Sequence, residues 1–226
     1  MVVAGAHAAG TEGFDATIKE GDEAESRFCG KAPDLAIHIT ALGSVTLGTS
    51  NRTTKAKLPL WKEEYLEWTW IKLYQGDLLV AFEASNGDSG RGGVCRFGLQ
   101  PLTRKWCSRI HGFNVVASVG PDDSIYVGSI DFVGRIQATD GKYIWRQRGL
   151  HKKDPAFNVL GVPSVEGDTV IFDATAGAGS SPNRRLSLDR RTGVIKSIET
   201  AQIDRSNIGL QRTRGSCALL AADSGR

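Results

Sequence analysis

The sequence predicts an all-β fold built from short antiparallel strands, and three observations lead to that prediction. The chain has 226 residues, of which 27 are glycine, and few stretches carry the apolar periodicity of a helix. Short apolar or alternating runs, separated by polar turn signals, recur along most of the chain. The order of these runs then repeats with a period of about 45 residues, which indicates a repeat architecture.

Composition is that of an ordinary globular protein. Apolar residues make up 40% of the chain and charged residues 23%, as is usual for globular domains. The formal net charge of +3 is too small to indicate nucleic acid as the main partner. No apolar run approaches the roughly 20 residues that a membrane-spanning helix requires. We therefore expect no nucleic-acid partner and no membrane span.

Three stretches align as the second strand of a repeating unit. They read QGDLLVAFEAS, PDDSIYVGSID and EGDTVIFDATA, and their aspartates are Asp77, Asp123 and Asp168. The spacings between these aspartates are 46 and 45 positions. A strand-like run precedes each stretch, and a polar turn followed by a hairpin comes after it. The unit therefore has four strands.

The unit extends more weakly towards both ends of the chain. A stretch that carries Asp34 ends at Trp61, which lies 45 positions before Trp106, and Trp145 follows 39 positions later. At the other end, IGLQRTRGSCALLAAD has the pattern of the first two strands of another unit. The prediction is about four units and part of a fifth.

Stacked four-stranded units of this kind predict a β-propeller. One antiparallel sheet leaves an apolar face uncovered, a neighbouring sheet covers it, and repetition around an axis closes the structure. Because four blades are few, we consider a compact small ring, a ring completed by a homodimer or by other blades, and a fragment of a longer protein. An incomplete ring would expose an apolar blade face.

The last hairpin resembles the PQQ-like, or quinoprotein-type, repeat, whose unit ends in A-x-D-x-x-T-G-x-x-x-W. In SLDRRTGVIKS, Asp189, Thr192 and Gly193 match this turn in order, and Ser197 stands at the tryptophan position. The resemblance covers about residues 31–224 and is densest across residues 70–197. The repeat architecture is also similar to that of WD40 and YVTN propellers.

The earlier hairpins match less of the motif. In ATDGKYIW, Gly141 and Trp145 match, whereas Asp140 and Gln137 stand at the Thr and Asp positions. In the hairpin before it, only Trp106 matches. A T-G or D-G turn supplies the positive φ that a tight hairpin requires. The tryptophan is expected to bury its ring against the next blade.

The resemblance implies two functional hypotheses. Non-enzymatic members of the family imply a protein-binding scaffold without a cofactor, and this is the function that we predict, with no catalytic, cofactor or metal site. Quinone-dependent dehydrogenases imply PQQ and calcium, beside a pair of adjacent cysteines. This chain has no adjacent cysteines, and its candidate calcium ligands, Asp88, Asp122 and Asp123, are scattered. A fragment related to these dehydrogenases is the alternative.

Residues 87–90 read G-D-S-G, the stretch that carries the nucleophilic serine of trypsin-like proteases. Ser89 therefore raises a serine hydrolase as a further alternative. Such a nucleophile requires a histidine base held by a third group. We instead expect His38 on a strand and His111 and His151 in connections between blades. Because the stretch falls between the second and third strands of its repeat, we predict that Ser89 is a turn residue.

Four cysteines allow three full disulfide pairings: Cys29, Cys95, Cys107 and Cys217. Cys95 and Cys107 flank a predicted hairpin turn and would face each other across two strands in one register. Two buried free thiols are the alternative.

The chain is predicted to have two parts. Residues 1–30 form a loosely ordered arm, with a leader remnant as an alternative, and residues 31–226 form the repeat domain. The leader-like start and the even number of cysteines favour an exported or periplasmic location over the cytoplasm.

Two clusters are open to a binding or a structural interpretation. Basic residues that flank one hairpin either bind an acidic partner or form a solvated face: Arg184, Arg185, Arg190 and Arg191. Aromatic residues in one predicted connection either pack between blades or form an interface hot spot: Trp61, Tyr65, Trp68 and Trp70.

Overall fold

The structure is a computed structural model that describes residues 14–17, 23–27, 36–49, 52–154, 157, 159–175 and 182–202. The described residues form β-strands and one short helix, α1 (Leu150–Lys153). The strands are arranged in four antiparallel sheets, which we call blades 1 to 4. The predicted all-β fold of four-stranded propeller blades is confirmed. Cys29 and Cys217 lie outside the described residues.

Blades 1 and 2 come first along the chain. Strand β1 (Phe14–Thr17) is an extra strand that joins blade 2 at its first strand. Blade 1 follows the sequence order β2 (Glu23–Arg27), β3 (Ala36–Thr40), β4 (Ser44–Thr49) and β5 (Arg52–Lys57). Blade 2 is formed by β6 (Tyr65–Tyr74), β7 (Asp77–Ser85), β8 (Gly90–Leu99) and β9 (Leu102–His111).

Blades 3 and 4 repeat this order. Blade 3 consists of β10 (Val116–Val119), β11 (Ser124–Ser129), β12 (Phe132–Gln137) and β13 (Tyr143–Arg148). In blade 4 the first strand is split, so that two short pieces, β14 (Val159–Leu160) and β15 (Ser164–Glu166), pair with the same second strand. The other strands are β16 (Thr169–Thr175), β17 (Arg184–Asp189) and β18 (Ile195–Thr200).

Two strands fall within residues 1–30, where the sequence predicts a loosely ordered arm. Residues 14–17 pair with β6 of blade 2, and residues 23–27 pair with β3 of blade 1. These described parts of the arm are therefore sheet strands. The boundary at residue 30 stays a prediction.

Each pair of neighbouring blades encloses an apolar core. The core between blades 1 and 2 includes Ile37, Val45, Leu78, Phe82 and Phe97. Leu79, Ala81, Ile125 and Val127 lie in the core between blades 2 and 3. The core between blades 3 and 4 includes Tyr126, Trp145, Phe172 and Leu188. Side chains therefore alternate between two buried faces along the second strands, because each inner blade is covered on both sides.

Strand register corrects the predicted alignment of the aspartates. The second strand of blades 2, 3 and 4 begins at Asp77, Ser124 and Thr169, respectively. Asp123 and Asp168 lie one residue earlier, in the preceding turns. Asp77 is therefore shifted by one position relative to the other two. From Asp77 to Ser124, the first residues of the second strands of blades 2 and 3, the offset is 124 − 77 = 47 positions, one more than the spacing of Asp77 and Asp123.

Cys95 and Cys107 form a disulfide bond between β8 and β9. The two residues are direct partners in the strand register, and their Cα atoms are 4.1 Å apart. Such a short Cα separation is typical of cross-strand pairs without backbone hydrogen bonds. The alternative of two free thiols was therefore wrong.

A group of hydrogen bonds joins blade 2 to the outer hairpin of blade 3. Trp106 Nε1 donates to the carbonyl oxygen of Ala138 at 3.0 Å, and Arg96 donates to the same oxygen at 2.8 Å. Arg96 is also paired with Asp77, which begins β7. The ring of Trp106 lies against Gly141, where an added Cβ would come within 2.6 Å of the indole. We call this arrangement the indole–guanidinium joint.

The same joint connects blade 3 to blade 4. Trp145 Nε1 and Arg135 donate to the carbonyl oxygen of Arg190 at 2.8 and 3.0 Å. Gly193 of blade 4 lies against the indole of Trp145, as Gly141 of blade 3 lies against that of Trp106, and the φ of Gly193 is 71°. Asp122 pairs with Arg135 at 2.7 Å. Two successive blades therefore use tryptophan and arginine at equivalent register positions.

Blade 1 makes a different junction with blade 2. By register, Leu47 and Thr54 stand at the arginine and tryptophan positions of blade 1. Trp61, which the sequence placed at the end of this unit, lies after β5 and is 54% exposed. The prediction that Trp61 belongs to the series of Trp106 and Trp145 was therefore wrong.

The described residues on the outward face of blade 4 are mostly polar, and the apolar Ile171 on this face is 8% exposed. Ser187 and Ser197 are cross-strand partners at the arginine and tryptophan positions, as the departure at Ser197 predicted. Next to them, Arg185 binds both carboxylate oxygens of Asp173 at 2.8 and 3.0 Å. The expectation of an exposed apolar blade face was therefore wrong for the described part of this blade.

Candidate functional site

One end of the blade array holds the connections between blades and the turns between second and third strands. We call this the connection end, and its described segments at blades 1 to 3 are residues 41–43, 58–64, 86–89, 112–115 and 130–131. Backbone hydrogen bonds of 2.8 Å tie Leu58 to Gly43 and Leu66 to Ala41. Rigid turns of this kind are where propellers and other scaffolds present functional side chains.

A cavity of about 130 Å³ opens at the connection end, above the junction of blades 1 and 2. It is enclosed by the 58–64 connection, the start of β8 and the end of β9. Its lining residues are Trp61, Glu64, Ser89, Gly90, Arg91, Arg109, Ile110 and His111. By register, Arg91 faces His111 and Gly93 faces Arg109, so the two arginines and the histidine project from the same face of the sheet.

A buried ion pair forms the floor of this cavity. Arg91 Nε lies 2.8 Å from Glu64 Oε1, and Arg91 Nη2 lies 2.7 Å from Glu64 Oε2. The Arg91 side chain is 9% exposed and the Glu64 side chain 3%. Arg91 also donates to the carbonyl oxygen of Pro59 at 3.0 Å. The pair thus fixes the connection onto β8.

Hydrogen bonding from Arg91 lowers the pKa of Glu64, although burial of the carboxyl group opposes this shift. The backbone N–H of Trp61, which donates to Glu64 at 2.7 Å, lowers the pKa further. The positive charge of Arg109 adds a smaller effect in the same direction. The Glu64 carboxylate is therefore held in its charged form by hydrogen bonds within the chain, and it is not placed as a general base.

Two guanidinium groups lie near the exposed indole of Trp61. The Cζ atom of Arg91 is 3.9 Å from the ring centroid, and that of Arg109 is 4.9 Å away. Both distances are within the range of cation–π interactions. Among the described residues, no carboxylate forms an ion pair with Arg109. The cavity therefore presents one positive group that is stacked but not neutralised.

Ser89 lies in the turn between β7 and β8, as predicted. Its backbone N–H donates to Asn86 Oδ1 at 2.9 Å, and its hydroxyl donates to the same oxygen at 3.2 Å. His111, the last residue of β9, lines the same cavity. Between these two described side chains no hydrogen bond is present, and Glu64 is committed to Arg91. The arrangement does not support a serine hydrolase.

Exposed apolar residues surround this site at the connection end. Phe113 is 40% exposed, and its ring lies against Gly90, where an added Cβ would come within 1.9 Å of it. Leu42, in the turn between β3 and β4, is 71% exposed. We define the connection-end patch as Leu42, Trp61, Arg109 and Phe113.

A second, larger groove lies on the outer side of the array. It has a volume of about 550 Å³ and runs between β9 and β13, open to solvent. Its lining includes Cys107, Ser108, Lys142, Ile144 and Arg146. Exposed Ile144 lies in this groove, but no buried charged pair forms its floor.

The other residues considered from the sequence do not converge on one site. Asp88 lies at the connection end, whereas Asp122 and Asp123 precede β11 at the opposite end. Asp122 is bound to Arg135 and accepts from Tyr126. In the described residues no group of three potential metal ligands is present. His38 lies on β3 and His151 in α1.

The arginine cluster is used mainly within the chain. Arg184 donates to Asp154 at 2.8 Å, Arg185 binds Asp173, and Arg190 lies 3.8 Å from Asp122. Arg191 is exposed. An acidic partner is therefore not needed to explain most of this cluster.

The aromatic cluster is divided between a strand and a connection. Tyr65, Trp68 and Trp70 belong to β6, and only Trp61 lies in the connection. Trp70 is partly buried against the core between blades 2 and 3. The prediction of a single aromatic connection was wrong, because β6 begins earlier than the sequence indicated.

Sequence reasoning did not find the cavity residues Glu64, Arg91, Arg109 and His111 as a group. They come from three separate stretches that only the strand register brings together. One local signal was available: Arg109 and His111 alternate with apolar Ile110, the pattern of a strand with one polar face.

The fold and the site together define a propeller-type β-protein with a charged cavity at one end. No protein-family model matches the chain, and no curated protein matches it. The chain is similar to several solved structures at low identity. One is a europium-containing methanol dehydrogenase, with 15% identity and a TM-score of 0.47. The match covers 64% of this chain and 28% of that chain.

A second similar structure is BamB from Moraxella catarrhalis, with 11% identity and a TM-score of 0.47 over 73% of this chain. The present chain covers 49% of it, so it spans less than half the length of either of these first two structures. Sqt1 from Saccharomyces cerevisiae matches with 6% identity and a TM-score of 0.34, over 78% of each chain. In the part of this chain that the structure describes, no helix is long and apolar enough to span a membrane.

Proposed function

We propose that this protein is a non-catalytic PQQ-like propeller that acts as a scaffold for a protein partner, which docks at the connection-end patch. The observation that carries the proposal is the position of exposed Trp61 beside Arg109, at the mouth of an ion-paired cavity. Tryptophan and arginine are the residues most enriched in interface hot spots. Leu42 and Phe113 extend the apolar surface at the same end.

The rigidity of this surface supports a scaffold. Glu64 and Arg91 hold the 58–64 connection through a buried, doubly hydrogen-bonded pair. The ring of Phe113 packs closely against Gly90, and the residue is 40% exposed. A preorganised surface loses less conformational entropy when a partner binds.

Site-specific photo-cross-linking tests the proposed docking end. A benzophenone amino acid is placed at Leu42 or Phe113, and matched probes are placed at Ile144 or Val194, which are also exposed but lie on the hairpins. We expect the first pair to cross-link one stoichiometric partner, whose own tagged form recovers this protein in return. Adducts of equal yield from both pairs, or no adduct from the first pair, would refute docking at this end.

We further propose that the chain folds in an oxidising compartment and is therefore exported. The Cys95–Cys107 disulfide supports this, because stable structural disulfides are rare in reducing compartments. Because Cys95 is fully buried, the protein is alkylated in denaturant directly after cell lysis, and mass spectrometry of the product tests the proposal. We expect Cys95 and Cys107 to be protected from alkylation until a reductant is added; modification of both residues without reductant would contradict it.

A further inference from the structure

We propose that the cavity beside Trp61 binds a carboxylate group of an acidic protein segment, with Arg109 as the residue that recognises it. This inference deepens the proposed function and rests on it. It names the chemistry of the partner: an acidic side chain next to an apolar one.

The first step of the argument is the difference between the two arginines of the cavity. Arg91 is already neutralised, because it makes two short hydrogen bonds with the Glu64 carboxylate and one with Pro59. Arg109 is exposed, and no described carboxylate lies within ion-pair distance of it. A carboxylate that enters the cavity therefore meets one guanidinium group with free hydrogen-bonding capacity.

The second step concerns the position of the Arg109 side chain. Its cross-strand partner on β8 is Gly93, which contributes no side chain that could compete for the guanidinium group. Its Cζ atom lies 4.9 Å from the ring centroid of Trp61. Stacking on an aromatic ring restricts the guanidinium group while its N–H groups stay free to donate in the ring plane. Arg109 is thus preorganised for a planar, bidentate acceptor such as a carboxylate.

The third step is the set of polar groups around the same space. His111 lines the cavity with Arg109, and an imidazole N–H can donate to an anionic oxygen. The Ser89 hydroxyl lines it too, but its hydrogen is already donated to Asn86. Trp61 and Phe113 offer apolar surface beside this polar corner. A short segment that places an acidic residue next to an aromatic or aliphatic residue satisfies both parts of the site.

The charges at the rim favour a single carboxylate over a phosphate backbone. Asp88 is exposed and directly adjoins the cavity residue Ser89. Glu63, which adjoins Glu64, is exposed as well, but it lies 3.7 Å from the ammonium group of Lys62. A polyphosphate chain would carry repeated negative charge past Asp88, at an electrostatic cost. An isolated carboxylate reaches Arg109 without extending along the rim. The pattern therefore selects an acidic protein segment rather than a nucleic acid.

A pair of dipeptides tests this inference directly. N-acetyl-phenylalanyl-glutamate amide and its glutamine counterpart are titrated to about 20 mM, and the indole Nε1–H signal of Trp61 is followed by NMR. This signal is assigned by its loss in Trp61→Phe. We expect the glutamate dipeptide to shift the signal with a Kd in the millimolar range and the glutamine dipeptide to bind at least about fivefold more weakly.

Two charge-neutralising variants separate a specific effect from a general one. Arg109→Gln removes the proposed recognition group, and Arg104→Gln removes an exposed arginine on the same strand, five positions away or about 16 Å along β9. We expect Arg109→Gln to weaken binding of the glutamate dipeptide at least about fivefold and Arg104→Gln to change it less than about twofold. Because both residues are exposed, neither variant should unfold the protein.

Several results would overturn the inference. These are the absence of any shift with the glutamate dipeptide, equal binding of the two dipeptides, and equal effects of the two variants. A larger shift with a single-stranded oligonucleotide than with the glutamate dipeptide would also overturn it, since that result favours phosphate. Cross-linking at Leu42 and Phe113 tests the proposed docking end independently of the dipeptides. If a partner cross-links there but neither dipeptide binds, only the proposed carboxylate site is refuted.

Discussion

Two kinds of junction hold the blades together, and they use opposite ends of the molecule. Blades 2 and 3 each place tryptophan and arginine N–H groups on a backbone carbonyl of the next blade, at the hairpin side. Blade 1 has Leu47 and Thr54 at those positions and meets blade 2 through an apolar core. Its junction is instead secured at the connection end, by Glu64 and Arg91.

This difference assigns the tryptophans of the two kinds of junction to different roles, one in stability and one in binding. In the indole–guanidinium joint of blade 3, Trp145 is 8% exposed and its polar atom is already used. At the junction of blades 1 and 2, the tryptophan is Trp61, which is mostly open to solvent and makes no joint of this kind. The same residue type therefore stabilises one junction and is available to a partner at the other.

The largest loss of stability is expected when the buried tryptophan between blades 3 and 4 is truncated. Trp145→Ala removes a buried ring and its hydrogen bond to Arg190, and we expect a loss of about 3–5 kcal/mol in the free energy of unfolding. Urea denaturation measures this loss. A loss under about 1 kcal/mol would mean that the joint between blades 3 and 4 does not stabilise the fold.

The second test removes one partner of the buried ion pair. Arg91→Met leaves Glu64 without its main partner, and we expect a loss of about 3 kcal/mol, near the lower end for such pairs because an open cavity adjoins the pair. Arg104→Met, on an exposed arginine, is the matched control and should change stability by less than about 0.5 kcal/mol. Equal losses in both variants would contradict a specific role of the pair.

The pH dependence of stability tests the buried ion pair through the pKa of Glu64. Hydrogen bonding from Arg91 lowers the folded-state pKa below its ordinary value of 4.5. The resulting stabilisation is fully present above pH 4.5 and is lost as the pH falls through the folded-state pKa.

In Arg91→Met the largest cause that lowers the pKa of Glu64 is absent, so less stability is lost as the pH falls. We expect the stability difference between wild type and variant to narrow as the pH falls from 6 to about 3. Denaturation series at each pH measure it. A difference that stays constant over this range would show that Glu64 does not titrate as described.

The smallest effect is expected at the exposed tryptophan. Trp61→Ala should reduce the free energy of unfolding by less than about 1 kcal/mol, since the residue is 54% exposed and a cation–π contact with an exposed ring contributes only about 0.5–1 kcal/mol. The same variant should lose the partner cross-linked from Phe113. A loss comparable to that of Trp145→Ala would place Trp61 in the fold rather than in the binding surface.

The repeat was predictable because its hairpins follow local rules. The D-x-x-T-G turn at Asp189 forms as expected: the Asp189 carboxylate accepts from the Thr192 backbone N–H at 2.8 Å and from the Thr192 hydroxyl at 2.8 Å. The positive φ of Gly193 agrees with the turn chemistry. Ser197 also occupies the predicted tryptophan position.

The cavity was not predictable, because it depends on cross-strand register rather than on local sequence. No local pattern distinguishes Arg91, which is buried against Glu64, from Arg109, which is exposed. Register also explains the misplaced Asp77, which is the first residue of β7, whereas Asp123 and Asp168 precede their strands; spacing alone does not reveal this difference. Trp61 was assigned by its distance from Trp106, and that distance coincides with the period although the residue follows the last strand of its blade.

The serine pair on blade 4 gives the array a direction. Blades 2 and 3 are donors, each of which supplies two N–H groups to the blade that follows it, and blades 3 and 4 are the acceptors. On the described face of blade 4 the corresponding residues, Ser187 and Ser197, are too short to reach a neighbouring carbonyl as arginine and tryptophan do. A molecule that adds to this face therefore meets a row of hydroxyl and charged groups. Such a molecule packs there without the indole–guanidinium joint, as blade 2 does against blade 1, where Leu47 and Thr54 stand at the same positions.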